Sequence, residues 1–242
     1  MIWWQIISFF IYNFFKVTPS FKCDESQFSP SFFSDKTISL ISNKSKKAYI
    51  RITFPSFSWK DTIIDRIALA YLAELLSNRR DSILYSHLRE ELGWIYDIYT
   101  DFLIGFDIGT AEISTSTPVN KSLQVIEEIL QAISRVKEVE FEKKRFELIK
   151  DIDRKRMKMA LDTTEGIIRW FSDEIFYRYP TILMPSDIMN VYDKITTEDM
   201  LRVARRIFDM SKINLCILQP FETVVEKKYK EEVEKLVEKY KK

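Results

Sequence analysis

Histidine is nearly missing from this chain: His87 is the only one in 242 residues. A zinc site that draws two or three imidazoles from a single chain therefore cannot be built from it. Cysteine is almost as scarce, and Cys23 and Cys216 are too few and too far apart for a metal knuckle or a disulfide framework. Such usage fits a reducing compartment, and a cytoplasmic location is the simplest expectation. The four glycines, Gly93, Gly105, Gly109 and Gly166, never cluster, which excludes a phosphate-cradling loop. Net charge is also lacking: 37 basic against 36 acidic side chains leave +1. No basic field is available to hold a nucleic acid, and no acidic one to attract a polycation.

What the chain does have is apolar mass. Hydrophobic residues make up 46% and aromatic residues 14%, enough to build a globular core. The first fifteen residues, MIWWQIISFFIYNFF, are almost all apolar. They lack the basic start and small-residue cleavage site of a signal peptide, and they are short of a membrane span. An amphipathic helix packed on the protein body is the commoner outcome for such a stripe, with interfacial membrane contact as the minority reading. Residues 16–35 turn to Ser, Pro, Phe and Lys without periodicity. Residues 1–35 therefore read as an apolar segment and linker ahead of the main domain.

The domain proper, residues 36–220, opens with two short runs at 37–41 and 48–54 around a polar SNKSKK turn. In the second run Tyr49, Arg51 and Thr53 alternate with Ile50, Ile52 and Phe54, which predicts a strand and, with its neighbour, a hairpin. Asp61 leads into a long helix with a wide apolar face reaching Leu76. Ser82 then caps a shorter helix that runs to Leu92 and stops at Gly93. A second hairpin is expected from 96–103 and 108–117. Helices follow over about 121–136, 141–161, 164–177 (closed by Tyr179-Pro180) and 186–192. The Thr196-Thr197-Glu198-Asp199 cap starts another that ends near Phe208. The run 213–218 is one more strand, ended by Pro220, and residues 221–242 form a charged amphipathic helix. Strands in pairs and helices in segregated runs predict an α+β fold: a mostly antiparallel sheet with helices packed on one face.

Local motifs assemble no catalytic set. Glu90-Glu91 and Glu127-Glu128 lie on helices whose other faces are apolar, where acids are usually solvated. His87 has no second imidazole to work with and reads as a surface or half-buried structural residue. Cys216 lies in an apolar strand, where a thiol behaves as a small hydrophobe. One stretch, residues 78–96, is denser. A helix there ends in a glycine turn that leads straight into a strand, with Arg89 before the turn and Tyr96 after it. Arg89 complementing a helix end and Tyr96 packing at a sheet end is the structural reading. A guanidinium and a phenol converging on a substrate carbonyl is the functional one.

The run Ser82-x-Leu84, Leu88-Arg89-Glu90-x-x-Gly93-x-x-Tyr96, after the buried helix over 68–76, resembles the non-catalytic half-domain of zinc peptidases related to pitrilysin, insulin-degrading enzyme and the mitochondrial processing peptidase. The resemblance continues through 115–117, through Ile195 to Asp199, and to Pro220. It implies one half of a peptidase clamp whose other half carries an inverted HxxEH zinc motif. It also implies that Arg89 and Tyr96 extend toward the substrate beside the partner's metal. This chain has neither HxxEH nor the histidines to make it, so the resemblance implies no metal here and Zn2+ in the partner half. The expected partners are an HxxEH-bearing domain of similar fold and a peptide or unfolded segment, bound partly by strand addition at a sheet edge. A structural subunit of the same fold without proteolysis, and a fragment of a longer single-chain peptidase, are the alternatives.

Overall fold

The computed structural model describes residues 36–138, 141–178, 182–221 and 223–241. The amino-terminal segment, Cys23 and the Tyr179-Pro180 stop lie outside the described residues. The described residues fall in one compact unit. Five strands form a single sheet: β1 (Thr37–Ser42), β2 (Lys47–Ser56), β3 (Ile98–Ile104), β4 (Gly109–Pro118) and β5 (Asn214–Gln219), in the order β1-β5-β2-β4-β3.

The alternation read in β2 is realised residue by residue. Ala48, Ile50, Ile52 and Phe54 are buried while Tyr49 and Arg51 are exposed. β4 runs antiparallel to β2 with Ile52 opposite Ile113 and Phe54 opposite Ala111, so its Ala111 and Ile113 join the same buried face. Among the described residues, α1 (Ile63–Ala73), α3 (Ser122–Val136) and α7 (Thr197–Ile207) lie on that face and contribute Leu69, Leu72, Ile126, Ile129, Val203 and Ile207 to one core. The opposite face carries Tyr49, Arg51 and Glu112, with Arg51 paired to Glu112 at 3.0 Å. The predicted α+β architecture with one covered face is therefore the observed one.

The first hairpin is not observed. β1 pairs in parallel with β5, and β5 pairs antiparallel with β2, so a strand from the far end of the chain separates the two runs. The polar connection 43–46 must then step across β5, a gap of about 9–10 Å at ordinary strand spacing, which four residues span easily. Turn composition alone cannot distinguish that step from a hairpin. The second hairpin, β3 to β4, is present and antiparallel. At its β4 end a Cβ on Gly109 would sit 1.8 Å from the Phe57 carbonyl oxygen, so the backbone there can close only on a glycine.

Helix starts follow the sequence closely. The cap before α1 falls on Thr62, one residue beyond Asp61, and accepts from the Asp65 N–H at 3.2 Å. Asp61 instead accepts from Ser58. Thr196 and Asp199 form a reciprocal capping box at the start of α7, with bonds of 3.0 and 3.2 Å. The helix expected to run unbroken to Leu76 widens instead into a π-type segment, Glu74–Asn78. After the short α2 (Ile83–Tyr85), the expected helix to Leu92 is likewise π-type over Ser86–Glu91. Ser82 stands at the cap position, but its buried hydroxyl makes no bond there.

The remaining helices are α4 (Lys143–Leu161), α5 (Thr164–Arg178), α6 (Pro185–Lys194) and α8 (Thr223–Lys239). Lys150 of α4 is buried and donates to the carbonyls of Asp193 (3.3 Å) and Ile195 (3.1 Å), a cation placed at the carboxy end of α6. α8 sets Val233 and Val237 into the same core as the sheet. No helix among the described residues is long and apolar enough to cross a membrane. Replacing Ile113, on a central strand and fully covered by helices, with Ala should cost about 2–5 kcal/mol in urea unfolding, the range for a large aliphatic residue in a core that cannot collapse around the gap.

Candidate functional site

The corner between α2 and β3 is built around one reversal. In the π-type turn the Leu92 N–H donates to the His87 carbonyl, and past Gly93 the Trp94 N–H returns to the Leu88 carbonyl, each at 3.0 Å. Gly93 has φ +63°, the only positive φ among the described residues, which a side chain would disfavour by about 1–2 kcal/mol. Leu88 is fully buried beneath the turn and anchors it.

The segment after the glycine is held from the core side by β4. Thr117 Oγ1 donates to the Trp94 carbonyl at 2.8 Å, and Thr115 Oγ1 donates to the Asp97 carbonyl at 2.7 Å. These two threonines continue the buried face of β4 just where its apolar residues end. They satisfy carbonyls that the irregular segment would otherwise bury unpaired. Nothing in their sequence context marks this role beyond their place in the alternation of β4.

Arg89 and Tyr96 are brought together. Arg89 Nη1 donates to the Ile95 carbonyl at 3.0 Å, and its guanidinium carbon lies 4.7 Å from the centroid of the Tyr96 ring. The first contact bridges the reversal; the second is a cation–π stack, worth about 0.5–1 kcal/mol at an exposed position. Tyr96 is 70% exposed and precedes β3, which begins at Ile98, so it does not pack at the sheet end as the structural reading supposed. One of Arg89's five N–H donors is spent on Ile95; Arg89 makes no ion pair among the described residues.

The free edge of β3 is already closed. The outward-facing N–H of Thr100 donates to Asn78 Oδ1, and Asn78 Nδ2 donates to the Thr100 carbonyl, both at 2.8 Å. The N–H groups of Ile98 and Phe102 are taken by Asp97 and Asp101 at 2.9 and 2.8 Å. Asn78 thus does at Thr100 what a neighbouring strand would do, and Asp97 and Asp101 occupy the N–H groups on either side, which guards the edge against pairing. A peptide strand could join β3 only by displacing them. The groove alongside, about 470 Å³, runs between residues 77–80 and 97–101 and includes Arg79, Arg80 and Tyr85.

Three of the four acids read as solvated have partners. His87 Nδ1 lies 2.8 Å from Glu91 and Nε2 lies 3.1 Å from Glu128 of α3, while Glu127 pairs with Lys239 at 2.7 Å. His87 is half-exposed, as expected for a structural histidine. Cys216 lies on the sheet face opposite the buried Leu215 and Ile217. Among the described residues no group of side chains is suited to a zinc ion. The one imidazole has a carboxylate on each nitrogen, so neither nitrogen is left open, and no group of three His, Cys, Asp or Glu side chains is placed to hold a metal ion.

Comparison with known proteins places this geometry. A family model described as the Peptidase M16 inactive domain matches residues 20–152, more than half of the sequence, and the chain belongs to that family. It is 28% identical over 153 residues to an uncharacterized zinc protease of Rickettsia bellii, covering 60% of this chain and 35% of that protein. Among solved structures, a protease from Helicobacter pylori superposes with a TM-score of 0.70 at 17% identity, over 78% of this chain and 45% of the other. A peptidase M16 inactive domain from Pseudomonas fluorescens gives 0.68 at 15% identity, over 78% and 44%. The chain thus spans about a third of the curated relative and under half of these structures. It is an inactive half-domain of a zinc protease family, with the fold those structures share.

Thr117→Val keeps the side-chain volume but leaves the Trp94 carbonyl without its donor. It should destabilise the domain by about 1–3 kcal/mol in urea unfolding, the cost of a buried unpaired polar group.

Proposed function

We propose that this chain is the substrate-binding, non-catalytic half of a two-part zinc metalloendopeptidase, and that Arg89 and Tyr96 are its substrate contacts. The observation that carries this reading is their stacking at an exposed corner. A residue serving only to neutralise a helix end would not need an exposed aromatic ring across a glycine reversal from it. Arg89 keeps donors beyond the one committed to Ile95, and the Tyr96 phenol adds another. Both are uncommitted donors at neutral pH, suited to a carbonyl oxygen on which negative charge develops. Stacking restricts each side chain, so less freedom is lost when a substrate is bound.

In this proposal the metal, its ligands and the general base belong to an HxxEH-bearing partner of like fold, and the substrate is a peptide or an unfolded segment. The family supports the division of labour, and the absence of a histidine set from this chain accords with it. The sealed edge of β3 argues that peptide is held at the Arg89–Tyr96 corner and not by strand addition to β3.

In a complex reconstituted with such a partner, Arg89→Ala or Tyr96→Phe should lower kcat by about 10²–10³-fold, or roughly 2.7–4 kcal/mol for each oxyanion-type donor removed. Folding and the partner's zinc content should stay unchanged. A helix-end role predicts the reverse, a stability loss of about 0.3–1 kcal/mol with turnover intact. That result would favour a structural subunit of the same fold. The isolated chain should hold no stoichiometric zinc by metal analysis and cleave no peptide; chelator-sensitive cleavage by this chain alone would overturn the division of labour.

A further inference from the structure

We propose that His87 is a positioning residue for the Arg89–Tyr96 pair: as an imidazolium it clasps the Ser86–Glu91 turn to α3, and loss of its proton releases the turn. The inference rests on the substrate-binding reading of that pair, but its geometry stands apart from it. His87 and Arg89 lie in the same six-residue π-type segment. One ring nitrogen of His87 meets Glu91 within the turn at 2.8 Å, and the other meets Glu128 on α3 at 3.1 Å. A neutral imidazole carries a single N–H, so one of those contacts would then set a nitrogen lone pair against a carboxylate. Only the cation donates to both. The arrangement is therefore complete with the proton on and broken with it off.

Two carboxylates and one guanidinium surround the ring; the carboxylates favour the imidazolium and the guanidinium opposes it. Glu91 comes from its own turn; Glu128 and Arg135 come from α3, where they line a cavity of about 170 Å³ with His87, Gln131, Ile83 and Leu84. The hydrogen bond that the ring donates to Glu91 raises the imidazole above its ordinary value; partial burial opposes this, and the bond donated to Glu128 adds to it. A pKa raised on folding contributes stability that is fully present below the unfolded value, about 6.5, and is lost as pH rises through the folded one. The clasp is thus closed at mildly acidic pH and opens on the alkaline side.

The connection to Arg89 runs through the backbone. The His87 carbonyl accepts the Leu92 N–H, and the Leu88 carbonyl accepts the Trp94 N–H across Gly93. Holding His87 against α3 therefore holds both ends of the reversal that places Arg89 on Tyr96. No residue of this linkage is a metal ligand, and none touches substrate in the proposed site except Arg89 and Tyr96.

Because the chain has a single histidine, its imidazole can be titrated by NMR without assignment by mutation. In the full chain the titration midpoint should lie above that of an unperturbed histidine, and Glu128→Gln should move it down. Glu91→Gln, at an exposed position, should do the same and serves where the first variant perturbs folding by circular dichroism. Amide hydrogen exchange at Leu92 and Trp94, corrected for its intrinsic rise with pH, should lose protection several-fold across the same pH interval. In Glu128→Gln it should be low throughout. An imidazole that titrates at the unperturbed value and ignores both substitutions would overturn the clasp. So would protection at Leu92 and Trp94 that stays constant through the titration. The measurement uses neither partner nor substrate, so it can fail while the turnover test of Arg89 and Tyr96 succeeds, and the reverse.

Discussion

The burial of one face of the β2–β4 pair beneath α1, α3 and α7 is the constraint from which the functional corner follows. β4 lies between β2 and β3, so its register is fixed on both sides. A one-residue slip would turn Ile113 outward and Glu112 into the core, and it would carry Thr115 and Thr117 away from the carbonyls they hold. The same periodicity that packs the sheet thus delivers two hydroxyls to the backbone of residues 94–97. Tyr96 stands where it does because a core strand, not a loop, holds the peptide groups on either side of it.

Around that frame the polar side chains replace backbone partners that regular structure does not supply. Asn78 pairs with Thr100 as a neighbouring strand would, Lys150 serves the carbonyls at the end of α6, and Arg89 serves Ile95 across the reversal. Lys150 and Arg89 act where helix bonding stops, and Asn78 acts where the sheet has no further strand, so that these backbone groups do not go unpaired. A chain with four glycines and a net charge of only +1 relies on such local repairs. Its surface acids are correspondingly less idle than their sequence context implies: Glu91, Glu127 and Glu128 all have cationic or imidazole partners.

The division between a catalytic and an inactive half also has a physical basis in this chain. A zinc site needs several donors converging at about 2.0–2.3 Å with their other atoms held by supporting bonds. Here the one imidazole is engaged at both nitrogens by carboxylates, and the outward corner presents a guanidinium and a phenol.

The amino-acid sequence by itself determined the local terms. These are the alternation of β2 and β4, the β3–β4 hairpin, the box at Thr196 and Asp199, the stop at Gly93, and the proximity of Arg89 and Tyr96 across it. All depend on residues within a few positions of one another, where backbone sterics and side-chain period leave little choice. The tertiary structure alone decided what joins distant segments. β5 enters between β1 and β2 although it is about 160 residues away in sequence, because an open strand edge gains a ladder wherever a compatible strand is brought to it. The π-type turns arise where α1 and the segment after it must meet the β3 edge and the core at once, a demand no local propensity encodes. His87 and Glu128, 41 residues apart, meet only because Leu88 and Ile129 are buried in the same core. A single histidine was legible as the end of any zinc site that needs two or three imidazoles from this chain; that it meets two carboxylates was settled by packing.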